Sequence, residues 1–459
     1  MVRSDMAGKK AKQLTLEEKL QNALVPKEEQ PYKIPDNWCW THMDSCNNFE
    51  RGITFPASAK QYENNQNLII CLRTANIQEK LYLNDLIYID KKFLKNNINK
   101  LVKNGDIILS SANSKELVGK TSYINNIKEE MTFGGFNILI RNIQVKSKYI
   151  FYYLRLLFLL GEFRKKSTQT TNIANINVKI LSNEYVPLAP LNEQQRIVNK
   201  IESLFSKLDK AKELIEHTLN QIEQNKMAIL HKAFTGELTA QWRKENNIDL
   251  SSWKEYELKE VFKVVKDKYN PQTENQIVNY IGLENIETSK GIISKNNSSE
   301  VKSIKTKFKK DDVLYGKLRP YLNKHDVVNF DGICSTDILV FRFNDINTAK
   351  YINYYFNLPM FIQYAVENSS GINLPRVSEK TISKYKISLP TIKEQQEIVN
   401  ILDKLLAKYN KIQNLNKQLE QIELLKKSIL AKAFRGELGT NDPQEESAEK
   451  LLAEILAEN

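Results

Sequence analysis

The sequence predicts an α+β fold in which two globular domains are separated by two long antiparallel coiled-coil helices, the whole forming a pseudo-two-fold internal repeat. Three observations carry that expectation. Residues 193–199 read Glu-Gln-Gln-Arg-Ile-Val-Asn and residues 394–400 read Glu-Gln-Gln-Glu-Ile-Val-Asn, identical at six of seven positions. Residues 229–238 and 429–438 share eight of ten, around Lys-Ala-Phe-x-Gly-Glu-Leu. Between the blocks, apolar residues recur at alternating spacings of 4 and 3, the seam of a coiled coil. The offset is 201 residues at the first block and 200 at the second, too long for a solenoid repeat, so the unit that recurs is a two-part module.

In chain order, residues 1–30 read as an N-terminal helical arm and 31–189 as the first globular domain. Residues 190–238 form the first long helix, 239–389 the second domain with its linker, 390–438 the second helix, and 439–459 an acidic tail. The first seam runs through Ile197, Ile201, Leu204, Leu208, Ala211, Ile215, Leu219 and Ile222. The second runs through Ile398, Leu402, Leu405, Tyr409 and Ile412, then Leu419, Ile422, Ile429 and Ala433. Pro190 and Pro390 open the helices, and Gly236 and Gly436 are placed to end them. Roughly 40 residues at 1.5 Å each make a rod of about 60 Å. Two such stripes close most simply on each other, as an antiparallel intramolecular pair. The other packing lays one amphipathic helix on each neighbouring domain.

Within the domains, short apolar runs bounded by Asn, Gly and Asp predict strands at Leu68–Leu72, Asp106–Leu109 and Asn137–Ile140. The second domain has such runs at Ile277–Ile281, Asp312–Tyr315 and Asp337–Phe343. Tyr149-Ile150-Phe151-Tyr152-Tyr153 matches Tyr351-Ile352-Asn353-Tyr354-Tyr355, the start of a shared helix. Leu451, Leu452, Ile455 and Leu456 give the tail helical spacing and predict a short helix at a subunit contact.

Composition narrows the function. Apolar residues make up 41% of the chain, enough for several cores, and a net charge of +12 favours a polyanionic partner. Four cysteines in 459 residues do not make a disulfide framework and point to the cytoplasm. Cys39, His42 and Cys46 lack a second cluster to complete a zinc tetrahedron, so no metal is expected. Met1 to Leu24 is charged throughout and lacks the apolar core of a secretion signal. Tyr149–Leu160 is too short to span a membrane and contains Arg155.

No catalytic residues are expected. Asn270-Pro271-Gln272 lacks the second proline and the aromatic of an adenine methyltransferase loop. Gly134-Gly135 has no third glycine and no following Lys-Ser/Thr. No nuclease-type Asp/Glu-x-Lys follows Pro35-Asp36 within about 30 residues, Glu257-Leu258-Lys259 is a chance-frequency tripeptide, and the four histidines are dispersed.

The domains do interleave basic, polar and aromatic residues. Eight Lys/Arg face three acidic residues between Glu300 and His325. The expected DNA-binding residues there are Lys317, Arg319, Tyr321, Asn323 and Lys324, shaped by Gly316 and Pro320; in the first domain they are Asn113, Lys115 and Lys120. Arg pairs with guanine in a bidentate manner, Asn with adenine, and Lys holds phosphate.

Pro190–Val198, Pro390–Val399, the paired Lys-Ala-Phe-x-Gly-Glu-Leu ends and Gly316–Lys324 together resemble the specificity (S) subunit of type I restriction–modification systems, across essentially the whole chain. The resemblance implies two target-recognition domains, each reading one half of an asymmetric bipartite site in double-stranded DNA, with the helices setting the unread spacer. It implies that two modification (methyltransferase) subunits dock on the helical regions and carry S-adenosylmethionine. Restriction subunits then add ATP- and Mg-dependent translocation and cleavage, so no cofactor is expected in this chain. The residues expected to form the coiled coil and its docking regions are Glu193, Gln194, Ile197, Leu204, Leu208 and Phe234, and Glu394, Gln395, Ile398, Leu402, Leu405 and Phe434. The alternatives are a stand-alone coiled-coil DNA-binding protein that dimerises through its rods, and a single-chain methyltransferase, for which no catalytic domain's worth of sequence remains.

Overall fold

The computed structural model describes residues 14–458 apart from 96, 170, 171, 275, 289 and 411–413. Its chain divides into two units that cut across the helical segments. Unit 1 comprises Met1–Glu213 with Gln418–Asn459, and unit 2 comprises Leu214–Lys417. Each unit therefore holds one mixed domain, the first part of one long helix and the last part of the other.

The first helix is continuous over Leu191–Phe234, 44 residues, and the second is described as Ile392–Asn410 and Asn414–Ala433. The predicted seam residue Ile412 lies outside the described residues. Gly236 and Gly436 follow the helices at φ +80° and +75°, a left-handed conformation that ends a helix and that glycine adopts without strain. A Cβ at Gly436 would also come within 2.3 Å of Pro35, so the chain turns there against the domain surface.

In unit 1, residues 191–213 and 418–433 run antiparallel. Asp209 pairs with Lys426 at 2.6 Å and Lys212 with Glu423 at 3.2 Å, so numbers rise on one helix as they fall on the other. The same helices also bury Ile197, Ile201, Leu430 and Phe434 in the core of the domain. Helix pairing and helix-on-domain packing thus coexist. Leu204 and Leu208 of the predicted seam are half-buried, and Ala211 is exposed. Phe205, which the 4–3 count passes over, is buried against Tyr152 with ring centroids 5.9 Å apart.

All six predicted strand runs form strands. Unit 1 has a four-stranded antiparallel sheet ordered Asn47–Arg51, Asn137–Asn142, Ile107–Ser110, Thr121–Tyr123. Unit 2 repeats it as Lys263–Val264, Ile338–Arg342, Val313–Gly316, His325–Val327. A second sheet in each unit contains one parallel pair, Leu68–Leu72 with Met131–Phe133 and Asn279–Ile281 with Gly332–Cys334. The same ion pair closes both antiparallel sheets: Arg141 grips Asp106, and Arg342 grips Asp312, each through two hydrogen bonds of 2.7–2.8 Å. A bidentate guanidinium–carboxylate fork on a nearly buried aspartate fixes the strand ends in one geometry.

The acidic tail forms a helix, Ala448–Glu458, whose Ala448, Leu452 and Ile455 are buried in the core of unit 1. Lys19, on the helix Leu16–Ala23, donates to Leu456 O at 3.2 Å. The apolar face of the tail is covered within its own unit.

Candidate nucleic-acid interface

The two helix starts are anchored by the same device. Trp38 Nε1–H donates to Glu193 Oε2 at 2.7 Å, and Trp253 Nε1–H donates to Glu394 Oε2 at 3.1 Å. Gln194 and Gln395 return their amide N–H to Ala189 O and Pro390 O, at 2.8 and 2.9 Å, filling carbonyls just before each helix. Phe434 sits between Tyr149 and Tyr153, and Phe234 between Tyr351 and Tyr355, all four pairs edge-on with centroids 5.0 Å apart and planes at 61–76°. Glu193, Gln194, Glu394 and Gln395 are buried, as are Ile197, Ile398, Leu402 and Phe434, while Phe234 and Leu405 are half-buried. The buried residues are consumed inside their units, holding each helix to its domain rather than presenting a face to a partner.

From this frame the unit 2 sheet carries the candidate reading loop. Gly316 ends the strand Val313–Gly316 where a Cβ would meet Leu283 at 2.8 Å and Lys324 O at 3.2 Å. Lys317 N–H donates to Asp337 O (2.9 Å), and Lys317 O accepts from Val377 N–H (3.0 Å). Arg319 N–H donates to Pro375 O (2.7 Å). Arg319 and Asn323 both adopt left-handed backbone, φ +52° and +43°, on either side of the turn Pro320–Leu322. Each such residue costs roughly 1–2 kcal/mol, which the surrounding hydrogen bonds must offset.

That strain aims the loop. Arg319 and Tyr321 are exposed and Lys317 is half-buried. The other two predicted contacts turn inward. Asn323 donates its amide to His325 Nε2 (3.1 Å) and Asn357 Oδ1 (3.4 Å), and Lys324 Nζ donates to Leu283 O (2.7 Å). His325 Nδ1 lies 2.7 Å from Asn353 Oδ1, and burial lowers the pKa of the ring.

Unit 1 has the same backbone plan with different side chains. Ile176 N–H donates to Ser111 O at 2.8 Å, the counterpart of Val377 to Lys317, which sets Asn113 at the position of Arg319. Asn113 is half-buried and spends its side chain on Ser110 Oγ and Ser114 N–H (3.0 and 2.9 Å). Lys115 is exposed; Lys120 is half-buried, donates to Gln78 Oε1 at 3.2 Å, and has its pKa lowered by burial. Arg376, paired with Asp337 at 3.2 Å, was not expected from the sequence, because the bridge from Leu318 to Arg376 that brings it beside Arg319 joins two distant segments.

Among the described residues, no three His, Cys, Asp or Glu side chains gather as metal ligands. Cys39 and Cys46 are buried, and burial pushes both thiols up, Cys46 to about 12. No helix among the described residues is long and apolar enough to cross a membrane.

The family profile of the type I restriction modification DNA specificity domain matches this chain twice, over residues 46–224 and 251–424. The chain belongs to that specificity family. The EcoKI specificity subunit of Escherichia coli K12 is 25% identical across 93% of this chain and 96% of its own length. The EcoDI specificity subunit of Escherichia coli is 28% identical across 70% of this chain and 78% of the relative. The HsdS subunit of Thermoanaerobacter tengcongensis superposes with a TM-score of 0.51 at 18% identity, over 89% of this chain and all of that one. A chain from a structure of type I R-M complex assembly superposes at 0.66, again at 18% identity and the same coverage. The α+β fold with its internal repeat is therefore that of the family.

Proposed function

We propose that this chain is the DNA specificity subunit of a type I restriction–modification complex. Each unit reads one half of a bipartite asymmetric site in double-stranded DNA, through domains spanning 31–189 and 239–389. Asn113 and Lys115 act in the first half, and Lys317, Arg319 and Tyr321 in the second. The observation that carries this reading is the shared backbone plan: two units with the same strand order and the same helix anchors present Asn113 and Arg319 at one equivalent position. A constant frame with exchanged side chains is what reading two different half-sites requires.

The helical segments 190–238 and 390–438 set the spacer and dock two modification subunits through their exposed flanks. Those subunits supply S-adenosylmethionine and adenine methylation, and restriction subunits supply ATP- and Mg-dependent cleavage. The chain itself reads and does not catalyse, and it works in the cytoplasm. Two readers joined in one chain gain affinity because binding one half-site raises the effective concentration of the other.

The test is co-expression with the cognate modification subunit in a host lacking adenine methylation, followed by long-read mapping of N6-methyladenine. A bipartite motif that disappears when this chain is omitted is the expected result. Two soluble proteins that neither co-purify nor write a motif would overturn it in favour of a stand-alone DNA-binding protein.

A further inference from the structure

Unit 1 holds a cavity of about 520 Å³ beside its reading strand. Arg51, Lys60 and Arg73 line it together with Phe55, Phe136 and Asn137, and no carboxylate does. Arg73 is paired with Asp85 at 2.6 Å, whereas Arg51 and Lys60 form no ion pair among the described residues and are exposed. Phe136 stands 64% exposed at the rim. Asn137 is fully buried, its amide N–H fixed on Leu72 O at 2.9 Å, which leaves Oδ1 without a partner. Arg73 Nε is likewise buried and unpartnered. A group with both donors and acceptors on a flat edge, an aromatic face and a negative charge matches this lining.

Two further facts make the cavity a built feature of unit 1. Phe136 O accepts from Ser111 N–H (2.9 Å) and Ala112 N–H (3.2 Å), so the rim adjoins the strand that carries Asn113. The equivalent place in unit 2 is found from the matching registers, Leu72 with Phe133 and Ile281 with Cys334, then Ser110 with Asn137 and Gly316 with Ile338. There Gly282, Asp337 and Ile338 stand for Arg73, Phe136 and Asn137. The aromatic and the amide are absent at these positions of the second unit, while Lys266 holds the place of Arg51 and is paired with Glu379 at 3.0 Å.

We propose that this cavity binds a nucleotide, with the phosphate on Arg51 and Lys60 and the base against Phe136. Its source is either a nucleotide of the bound DNA, next to the half-site read by unit 1, or a free nucleotide. The DNA source rests on the function proposed above; the free-nucleotide source does not.

The test uses the complex of the full chain with its modification subunit, in wild type and in Phe136→Ala and Arg51→Ala/Lys60→Ala variants. All three side chains are exposed, so melting curves should be unchanged. In one arm, duplexes carrying the methylated motif contain 2-aminopurine at one position at a time. In the other, AMP bearing a fluorescent ribose label is titrated alone. If DNA supplies the nucleotide, one position at the unit 1 half-site brightens on binding, the signal vanishes in Phe136→Ala, and the double variant binds about tenfold more weakly. The unit 2 half-site should be indifferent to both variants. If the ligand is free, labelled AMP binds wild type and not Phe136→Ala, with DNA affinity unchanged. Intact DNA binding with both variants indifferent in both arms overturns the cavity proposal alone. A complex that binds no bipartite duplex overturns the proposed function, and the AMP arm still decides the cavity.

Discussion

Glu193 and Glu394 occupy the same place in their units, yet the donors around them differ in charge. In unit 1 the carboxylate accepts from Trp38, Thr440 and Asn441, three neutral groups at 2.7–3.3 Å. In unit 2 it accepts from Trp253 and Thr239 and faces the guanidinium of Arg243, nearly buried, at 2.6 Å. Arg243 also donates to Gly236 O at 2.6 Å, tying the end of one helix to the start of the other. Unit 1 makes its corresponding tie at the edge, where Arg196 forks onto Glu445 and reaches Thr440 O. The carboxylate is the constant part. A buried acceptor needs three good donors, and whether one carries charge decides how much a single loss costs.

That difference can be broken by mutation. Arg243→Met strands the Glu394 carboxylate and should destabilise unit 2 by about 3–5 kcal/mol, whereas Asn441→Ala should cost about 1–2 kcal/mol in unit 1. Urea unfolding followed by tryptophan fluorescence measures both, and equal costs would mean the neutral cage is as critical as the ion pair. The aromatic clamps sharpen the comparison. Phe434 is fully buried and Phe234 half-buried, so Phe434→Ala should cost about 3–4 kcal/mol and Phe234→Ala closer to 2.

On DNA, Arg319→Ala should lose about 1–3 kcal/mol and relax one base position in one half-site, while Asn113→Ala relaxes a position in the other. Uniform weakening on every sequence would make Arg319 a phosphate contact. The smallest effect concerns pH. Burial lowers the His325 pKa below its ordinary range, with hydrogen bonds to Asn353 and Asn357 and the charge of Asp326 opposing in part. A depressed imidazole pKa means the unfolded chain takes up the proton first, so stability is complete above the unfolded pKa of about 6.5. It falls as pH drops through that value, at no more than about 1.4 kcal/mol per pH unit. His325→Gln should flatten the decline in urea midpoint between pH 7 and 5; an identical slope in the variant would assign the decline elsewhere.

The helical frame was legible because near-identical blocks and a 4–3 apolar spacing are properties of the residues themselves. The likeness of the two domains was not, because it resides in strand order and register with few shared side chains. Asp106–Arg141 and Asp312–Arg342 are such a pair, as are Asn76 and Asn285, whose Oδ1 atoms accept from Arg73 N–H and Gly282 N–H, both at 2.8 Å. At the reading loop, spacing found the exposed Arg319 and Tyr321 but could not tell that two left-handed residues would turn Asn323 into the core. Arg51, Arg73 and Phe136 escaped because three distant segments bring them to one cavity.

The division of unit 1 into 1–213 and 418–459 has a consequence for synthesis. Unit 2 is contiguous and has all its parts once residue 417 has left the ribosome. Unit 1 begins first and finishes last, because Phe434 and the tail helix that close its core are translated after the whole of unit 2. At 5–20 residues per second the wait is roughly 10–40 s, during which Tyr149 and Tyr153 lack the Phe434 ring that packs on them. The nascent first domain is thus the segment on which a holding chaperone would act, and a truncation before residue 430 would strand it while sparing the second.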